Sequence, residues 1–286
     1  ICLTEDYSSW GPNRQFNYPL QGGMGGFWKK FTQKHLSENQ IHLNQRVIEI
    51  EISNRIVRTQ SGGQYNYDQL ISTIPLPDLL HLTQSDNTNL LDKVNKKILW
   101  NQVSVVGLGF KGAQPSFLKD KTWLYFPNED SPYFRVTVFN NYSHYNCPTD
   151  CWSLIVECSG STYRPMLDYH QIIPSVLESL KRDGLIYAES EPISTFQKLL
   201  PFGYPVPFIG RNDLISEVNE TLEQQGIFSR GRFGFWKYEV SNQDHSFMQG
   251  VEVIERLLNN KSEVTIHSPE RVNSKDDRMP FPYPEW

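Results

Sequence analysis

Gly231-Arg232-Phe233-Gly234-Phe235-Trp236-Lys237-Tyr238-Glu239-Val240-Ser241-Asn242-Gln243-Asp244-His245-Ser246-Phe247 is the stretch on which the reading of this chain turns. A short strand, Gly226 to Ser229, enters it. Its glycines permit close backbone approach, and an Asn/Asp-rich segment then opens a helix that should run from Gln243 to Leu258. Phe247, Val251, Ile254 and Leu258 share one face of that helix. The first N–H groups and the helix dipole point at whatever lies before it, so a group taking on negative charge would be stabilised there. The plainer alternative is an ordinary N-cap, with Asn242 or Asp244 satisfying its own helix, and physics alone favours it.

Working outward, Trp10-Gly11-Pro12-Asn13 reads as coil and Gln15 to Pro19 as a short strand. The Gly22–Gly26 turn leads into helical spacing from Phe27 to His35. That turn is not GxGxxG and follows no long buried strand, so it reads as close backbone packing. Arg46 to Ile52 alternates as a half-buried strand, with Ile56–Thr59 its hairpin partner and Tyr65–Tyr67 a third. Leu70 to Ile74, stopped by Pro75, reads as a buried strand. Pro77–Thr83 and Asn87–Lys97 look helical.

A second β region takes in Gln102–Lys111, Lys121–Phe126, Tyr133–Asn140 and Cys151–Ser159. Tyr169–Asp183 is an amphipathic helix with Ile172, Ile173, Val176, Leu177 and Leu180 on one stripe. Ile193–Leu199 is a further strand, and Leu214–Gln225 a helix. Residues 259–286 are polar, then proline-rich, without periodicity. The expected class is α/β of the mixed α+β kind, a largely antiparallel sheet with helices to one side.

With 286 residues the chain can bury a real core. The net charge of −5 excludes a global basic field for nucleic acid or anionic lipid, so an anionic ligand would need a few placed arginines. Cys2, Cys147, Cys151 and Cys158 form no CxxC or zinc pattern. Cys147 and Cys151 flank a Pro-Thr-Asp turn and could pair, but reduced thiols are the favoured reading. No apolar run approaches the roughly 18 residues of a membrane span, and the expected location is the cytoplasm.

The 231–247 run resembles the C-terminal FAD motif of the UDP-galactopyranose mutases, most closely the eukaryotic type, within the amine oxidase-like flavoprotein superfamily. Three more stretches agree in the same order: Trp10–Asn13 with the Gly22–Trp28 turn; Trp123-Leu124-Tyr125-Phe126-Pro127 through Asn141-Tyr142-Ser143; and Gly203-Tyr204-Pro205-Val206-Pro207. The resemblance spans Trp10 to Leu258.

It implies an isomerase that interconverts UDP-galactopyranose and UDP-galactofuranose, with reduced FAD as nucleophile and a flavin N5–sugar adduct on the path. Its partners would be a UDP-sugar substrate and NAD(P)H as candidate reductant. The implied domains are a partial FAD-binding domain over 1–84, an antiparallel-sheet substrate domain over 85–210, a return to the FAD domain over 211–260, and a polar tail over 261–286.

By the same resemblance, Arg135 matches the arginine that holds the diphosphate, a task suited to a permanently charged fork. Tyr142, Tyr204 and Tyr238 match tyrosines that reach it. Asn13 and Tyr125 match nucleotide-sugar contacts, and Trp123 lies on the sugar side. Arg232 matches an arginine beside FAD that also faces the sugar, the one catalytic candidate. Val47, Gly234, Asn242 and Gln243 match cofactor contacts, Val47 on the adenine half and the others by the flavin. Read without the resemblance, each tyrosine is a packing residue, Trp123 is core, Arg135 is a solvated strand residue, and His245 is a packing or capping histidine.

The sequence departs from the family pattern in four places: the N-terminal strand–GxGxxG–helix that carries the FAD pyrophosphate, the flavin-side histidine loop, most of the uridine-binding helical domain and a second diphosphate arginine. The chain begins at Ile1 without Met, and the expectation is a fragment that alone binds FAD weakly or not at all. Two rivals stay open. An oxidoreductase of the amine oxidase or protoporphyrinogen oxidase type would share the hairpin, the Ser72–Pro75 strand end and the glycine turn, without needing the arginine–tyrosine cluster. A non-catalytic remnant on the same scaffold is the other.

Overall fold

The computed structural model describes residues 17–83 and 88–273. In chain order the elements are α1 (Gly23–His35), β1 (Val47–Glu51), β2 (Ile56–Thr59), β3 (Gln64–Asn66), β4 (Leu70–Ser72), α2 (Leu76–Leu82), α3 (Thr88–Lys97), β5 (Leu99–Lys111), β6 (Trp123–Tyr125), β7 (Arg135–Val138), β8 (Cys151–Gly160), α4 (Tyr169–Arg182), β9 (Ser194–Val206), α5 (Arg211–Gln224), β10 (Ile227–Ser229), α6 (Gln243–Asn259), α7 (Val264–His267) and α8 (Pro269–Val272). They divide into two compact units: residues 1–41 with 101–203, and 42–100 with 204–286. Among the described residues no helix is long and apolar enough to cross a membrane.

Strict alternation builds the first unit. Along β8 every second side chain is buried, the period of a strand with one face on a core. The sheet runs β6-β7-β8-β5-β9, and the pairs β6/β7, β7/β8 and β8/β5 are antiparallel. Val106, Leu108, Val136, Val138, Leu154 and Val156 project from one face and pack with Ile172, Val176 and Leu180 of α4. Each such side chain contributes about 1.5–3 kcal/mol. Helix α4 starts where the Asp168 carboxylate accepts the His170 N–H at 2.9 Å, an N-cap. Register then fixes the opposite face, which carries Trp123, Tyr125, Arg135, Thr137, Ile155 and Glu157.

The second unit holds the antiparallel sheet β1-β2-β3 and the parallel pair β10-β4. Helix α5 buries Leu214, Ile215, Val218 and Leu222. Below it lies a closed ionic cycle: Arg230 pairs with Glu263 (Nε–Oε2 2.6 Å) and with Glu223 (2.7 Å), and Arg256 reaches the same two carboxylates at 2.8 and 2.7 Å.

Several local expectations are corrected. Residues 17–19 are irregular rather than strand, and residues 15 and 16 lie outside the described set. Helix α1 begins four residues earlier than its apolar spacing predicts, because Gly22 takes a left-handed φ of 74° and the Gly26 N–H bonds back to Gly22 O at 2.8 Å. The expected buried strand over Leu70–Ile74 shrinks to three residues with only Ser72 buried, since its sheet is a two-stranded ribbon. Strand β9 continues through Pro201 and Pro205, which an edge strand tolerates because its outer N–H groups need no partner. The segment after Asn259 is not structureless as far as residue 273: Glu263, Thr265 and Ile266 are buried, and the Glu252 carboxylate accepts the N–H and hydroxyl of Thr265.

Candidate functional site

Each unit carries its own share of the candidate residues. In the first unit, Tyr125, Arg135 and Glu157 face one another across β6, β7 and β8, with Trp123, Thr137 and Ile155 in the next row. The Arg135 guanidinium meets the Glu157 carboxylate by two nitrogens, Nε and one terminal nitrogen, the latter at 2.8 Å. The two side chains are only 21% and 13% exposed. The guanidinium carbon also lies 5.5 Å from the Trp123 ring centre, within cation–π range.

Tyr142 joins this cluster from a 3-10 turn at Phe139–Asn141. The turn is pinned by asparagines: Asn141 Nδ2 reaches the carbonyls of Leu118 and Lys121 at 2.8 and 2.7 Å, and Asn146 Nδ2 donates to Phe139 O at 3.1 Å. The Tyr142 ring lies 5.0 Å from Tyr18 and 6.3 Å from Trp123. Burial pushes its hydroxyl pKa well above the ordinary tyrosine value; Arg135 opposes the shift while Glu157, Tyr125 and Tyr18 add to it. The hydroxyl therefore stays protonated at neutral pH and can donate.

In the second unit, β4 and β10 run parallel and end together at Ser72 and Ser229. Beyond their carboxyl ends, where open parallel sheets place ligands, the chain forms the glycine turn. The Arg230 N–H bonds Ser72 O at 2.9 Å, and the Leu76 N–H bonds Phe233 O at 2.9 Å. Gly234 is obligatory, because a Cβ there would lie 2.1 Å from the Arg230 carbonyl oxygen. Arg232 donates from Nε to Ser241 O at 2.8 Å, and its guanidinium carbon stands 5.0 Å from the Tyr204 ring centre. Tyr238, half exposed, lies 6.0 Å from Tyr204.

Asn242 occupies the N-cap of α6 with no side-chain cap bond, so the plain capping role is not the one it fills. Gln243 is the first residue of that helix. His245 is buried with Nδ1 unpartnered in the protein, and so is the Trp236 Nε1. Trp236 also has a φ of 60°, a conformation that costs a bulky residue energy and clusters at functional turns.

The structure thus brings Trp123, Tyr125, Arg135 and Tyr142 together in one unit, and Tyr204, Arg232, Tyr238 and the Gly234–Gln243 turn in the other. Val47 stands on the separate β1-β2-β3 sheet, half-buried at a bulge. Asn13 lies outside the described residues. Two residues escape sequence reasoning. Glu157 is Arg135's ion-pair partner, and its one signal is a charge inside the apolar run Leu154-Ile155-Val156. Gln249, 1% exposed, accepts the Gly231 N–H at 2.7 Å and donates to Val240 O at 2.9 Å, bracing both walls of the turn. No spacing pattern flags it. Cys147, Cys151 and Cys158 are free thiols.

Comparison with known proteins places these features in context. The sequence model described as flavin containing amine oxidoreductase matches residues 3–185. Among solved structures, a reduced UDP-galactopyranose mutase superposes with a TM-score of 0.87 at 38% identity, over 93% of this chain. The chain spans 58% of that protein's length. A fatty acid isomerase from P. acnes (TM-score 0.61, 13% identity, 82% of this chain and 52% of its own) shares the fold. So does a provisionally assigned protoporphyrinogen oxidase from Exiguobacterium sp. 255-15 (0.58, 18%, 72% and 45%).

Proposed function

The chain belongs to the flavin containing amine oxidoreductase family, and from that premise we propose that it forms part of a flavin-dependent isomerase that interconverts UDP-galactopyranose and UDP-galactofuranose. The observation that carries the reading is the cluster of Trp123, Tyr125 and Arg135 on one sheet face with Tyr142 from the adjoining turn: a cation, a protonated half-buried phenol and an aromatic platform suit a nucleoside diphosphate bearing a sugar. The identity to a UDP-galactopyranose mutase supports it.

The glycine turn fits a flavin. Its observable signs are the uncapped N-terminus of α6, the orphaned Trp236 and His245 nitrogens, and the position of Gly231 and Gly234 beyond the ends of a parallel strand pair. Asn242 and Gln243 would hold the ring edge with the first helical N–H groups, Gly234 would admit it, and Val47 would contact the adenine half through its backbone. Reduced flavin, when bound, would supply an electron-rich nitrogen able to attack an anomeric carbon.

The protein's own part is binding and charge. Arg135 would bond phosphate oxygens through its fork, while the Tyr142 hydroxyl donates to the same group. Tyr125, Trp123 and Asn13 would bound the nucleotide-sugar, and within the second unit Tyr204 and Tyr238 would offer hydroxyls of their own. Arg232, held by Ser241 O and stacked on Tyr204, would balance negative charge beside the flavin. A diphosphate so held keeps the leaving UDP poised to return, which an isomerisation needs.

The test is a pair of measurements on full-length protein. Calorimetry should show UDP binding at least tenfold tighter than uridine, and oxygen with a panel of amines should give no peroxide. Equal affinity for UDP and uridine, with peroxide from an amine, would replace this reading by an oxidoreductase of the same family.

A further inference from the structure

Glu157 sits where a diphosphate-binding face should least want a carboxylate. Its neighbour on β5 is Val105 and its neighbour on β7 is Arg135, and among the described residues Arg135 is its one ion-pair partner. The contact is two-pronged and mostly withdrawn from water, so the pair is weakly screened and its net charge is zero. The carboxylate occupies the guanidinium edge made by Nε and one terminal nitrogen. A fork has five donors, so an incoming anion and Glu157 compete for one cation rather than meeting a lone positive charge. Both fields reach the Tyr142 hydroxyl, where they act in opposite directions.

Resting on the mutase reading above, we propose that Glu157 is an affinity-setting residue: an internal counter-charge that holds Arg135 in place and weakens its grip on the diphosphate, so that UDP is bound yet can leave and return. Removing its charge while keeping its shape should therefore strengthen ligand binding, the opposite of what damage to a structural ion pair does.

The experiment measures UDP and uridine affinity by calorimetry on full-length protein: wild type, Glu157→Gln, Glu157→Met and Glu157→Asp. Gln keeps the length and an acceptor oxygen for the guanidinium; Met keeps the bulk and serves as a second uncharged variant; Asp keeps the charge. The expected result is UDP bound about tenfold more tightly by the Gln variant, the factor that ~1.4 kcal/mol makes. The Met variant should tighten in the same direction, Asp should not tighten, and uridine should be unmoved in all four. UDP affinity unchanged or weakened in both uncharged variants overturns the proposal, as does tightening shared by uridine or by Asp. A wild type that fails to discriminate UDP from uridine removes the mutase reading itself, and this inference with it, whereas a discriminating wild type with both uncharged variants inert removes only the role of Glu157.

Discussion

Replacing Arg135 by Ala removes the cation from the aromatic face, and its magnitude can be worked from the surroundings. Hydrogen bonds to charged groups are worth about 1.5–3 kcal/mol each, which for one lost fork is about a 10- to 150-fold rise in the UDP Kd. Two structural facts push toward the upper end. The guanidinium is only 21% exposed, so water substitutes poorly for it. Its loss also leaves Glu157 without an ion-pair partner among the described residues, facing the phosphates as a like charge. The double variant Arg135→Ala/Glu157→Gln should therefore recover part of the lost affinity. Isothermal titration with UDP, with uridine as a phosphate-free control and circular dichroism as a folding check, reads all three effects. UDP affinity within twofold of wild type in folded Arg135→Ala protein would refute the assignment of this face to a diphosphate.

Tyr142→Phe deletes one donor while leaving the ring contacts to Tyr18 and Trp123, and should weaken UDP about 3- to 10-fold by the same titration. Because burial raises its pKa, wild-type UDP affinity should show no loss from this hydroxyl up to about pH 10, where an ordinary tyrosine ionises. Glu263→Gln breaks a fully buried partner of Arg230 and should cost about 3–5 kcal/mol in urea unfolding. In the same cycle Glu223 is held below its ordinary pKa, mainly by Arg256 and Arg230 against the opposing burial. Its contribution is complete above about pH 4.3, the unfolded value, and is lost as pH falls through the lower folded value, so stability curves should fall off on the acid side of that point. Gln249→Leu strands the Gly231 N–H and the Val240 carbonyl, each costing about 1–3 kcal/mol, and should lower both the thermal midpoint and the flavin content of purified protein.

Much of the architecture was legible because it rests on local periodicity. The alternation of Cys151–Ser159 and the stripe Ile172, Val176, Leu180 fixed β8 and α4, and with them a sheet with one face covered. What was not legible depends on pairings between distant residues. Glu157 and Arg135 are 22 residues apart, and only the β7/β8 register makes them neighbours. The buried cycle of Arg230, Glu223, Arg256 and Glu263 orders a segment whose own composition reads as polar coil, since its Glu263 is held by ion pairs to Arg230 and to Arg256 of α6 rather than by an apolar stripe. Strand β9 runs on beyond the expected Ile193–Leu199 to Val206 because prolines at a sheet edge need not end a strand. For the site, the motif residues were quotable in order, but Gln249 carries no pattern and emerges only from contacts.

One reaction decides whether this protein is a mutase. Full-length protein, reduced with dithionite or left oxidised, is mixed with UDP-galactofuranose, and the nucleotide-sugars are resolved by anion-exchange chromatography. Conversion to UDP-galactopyranose is expected from the reduced protein alone. Flavin-loaded reduced protein that leaves UDP-galactofuranose unchanged would contradict it.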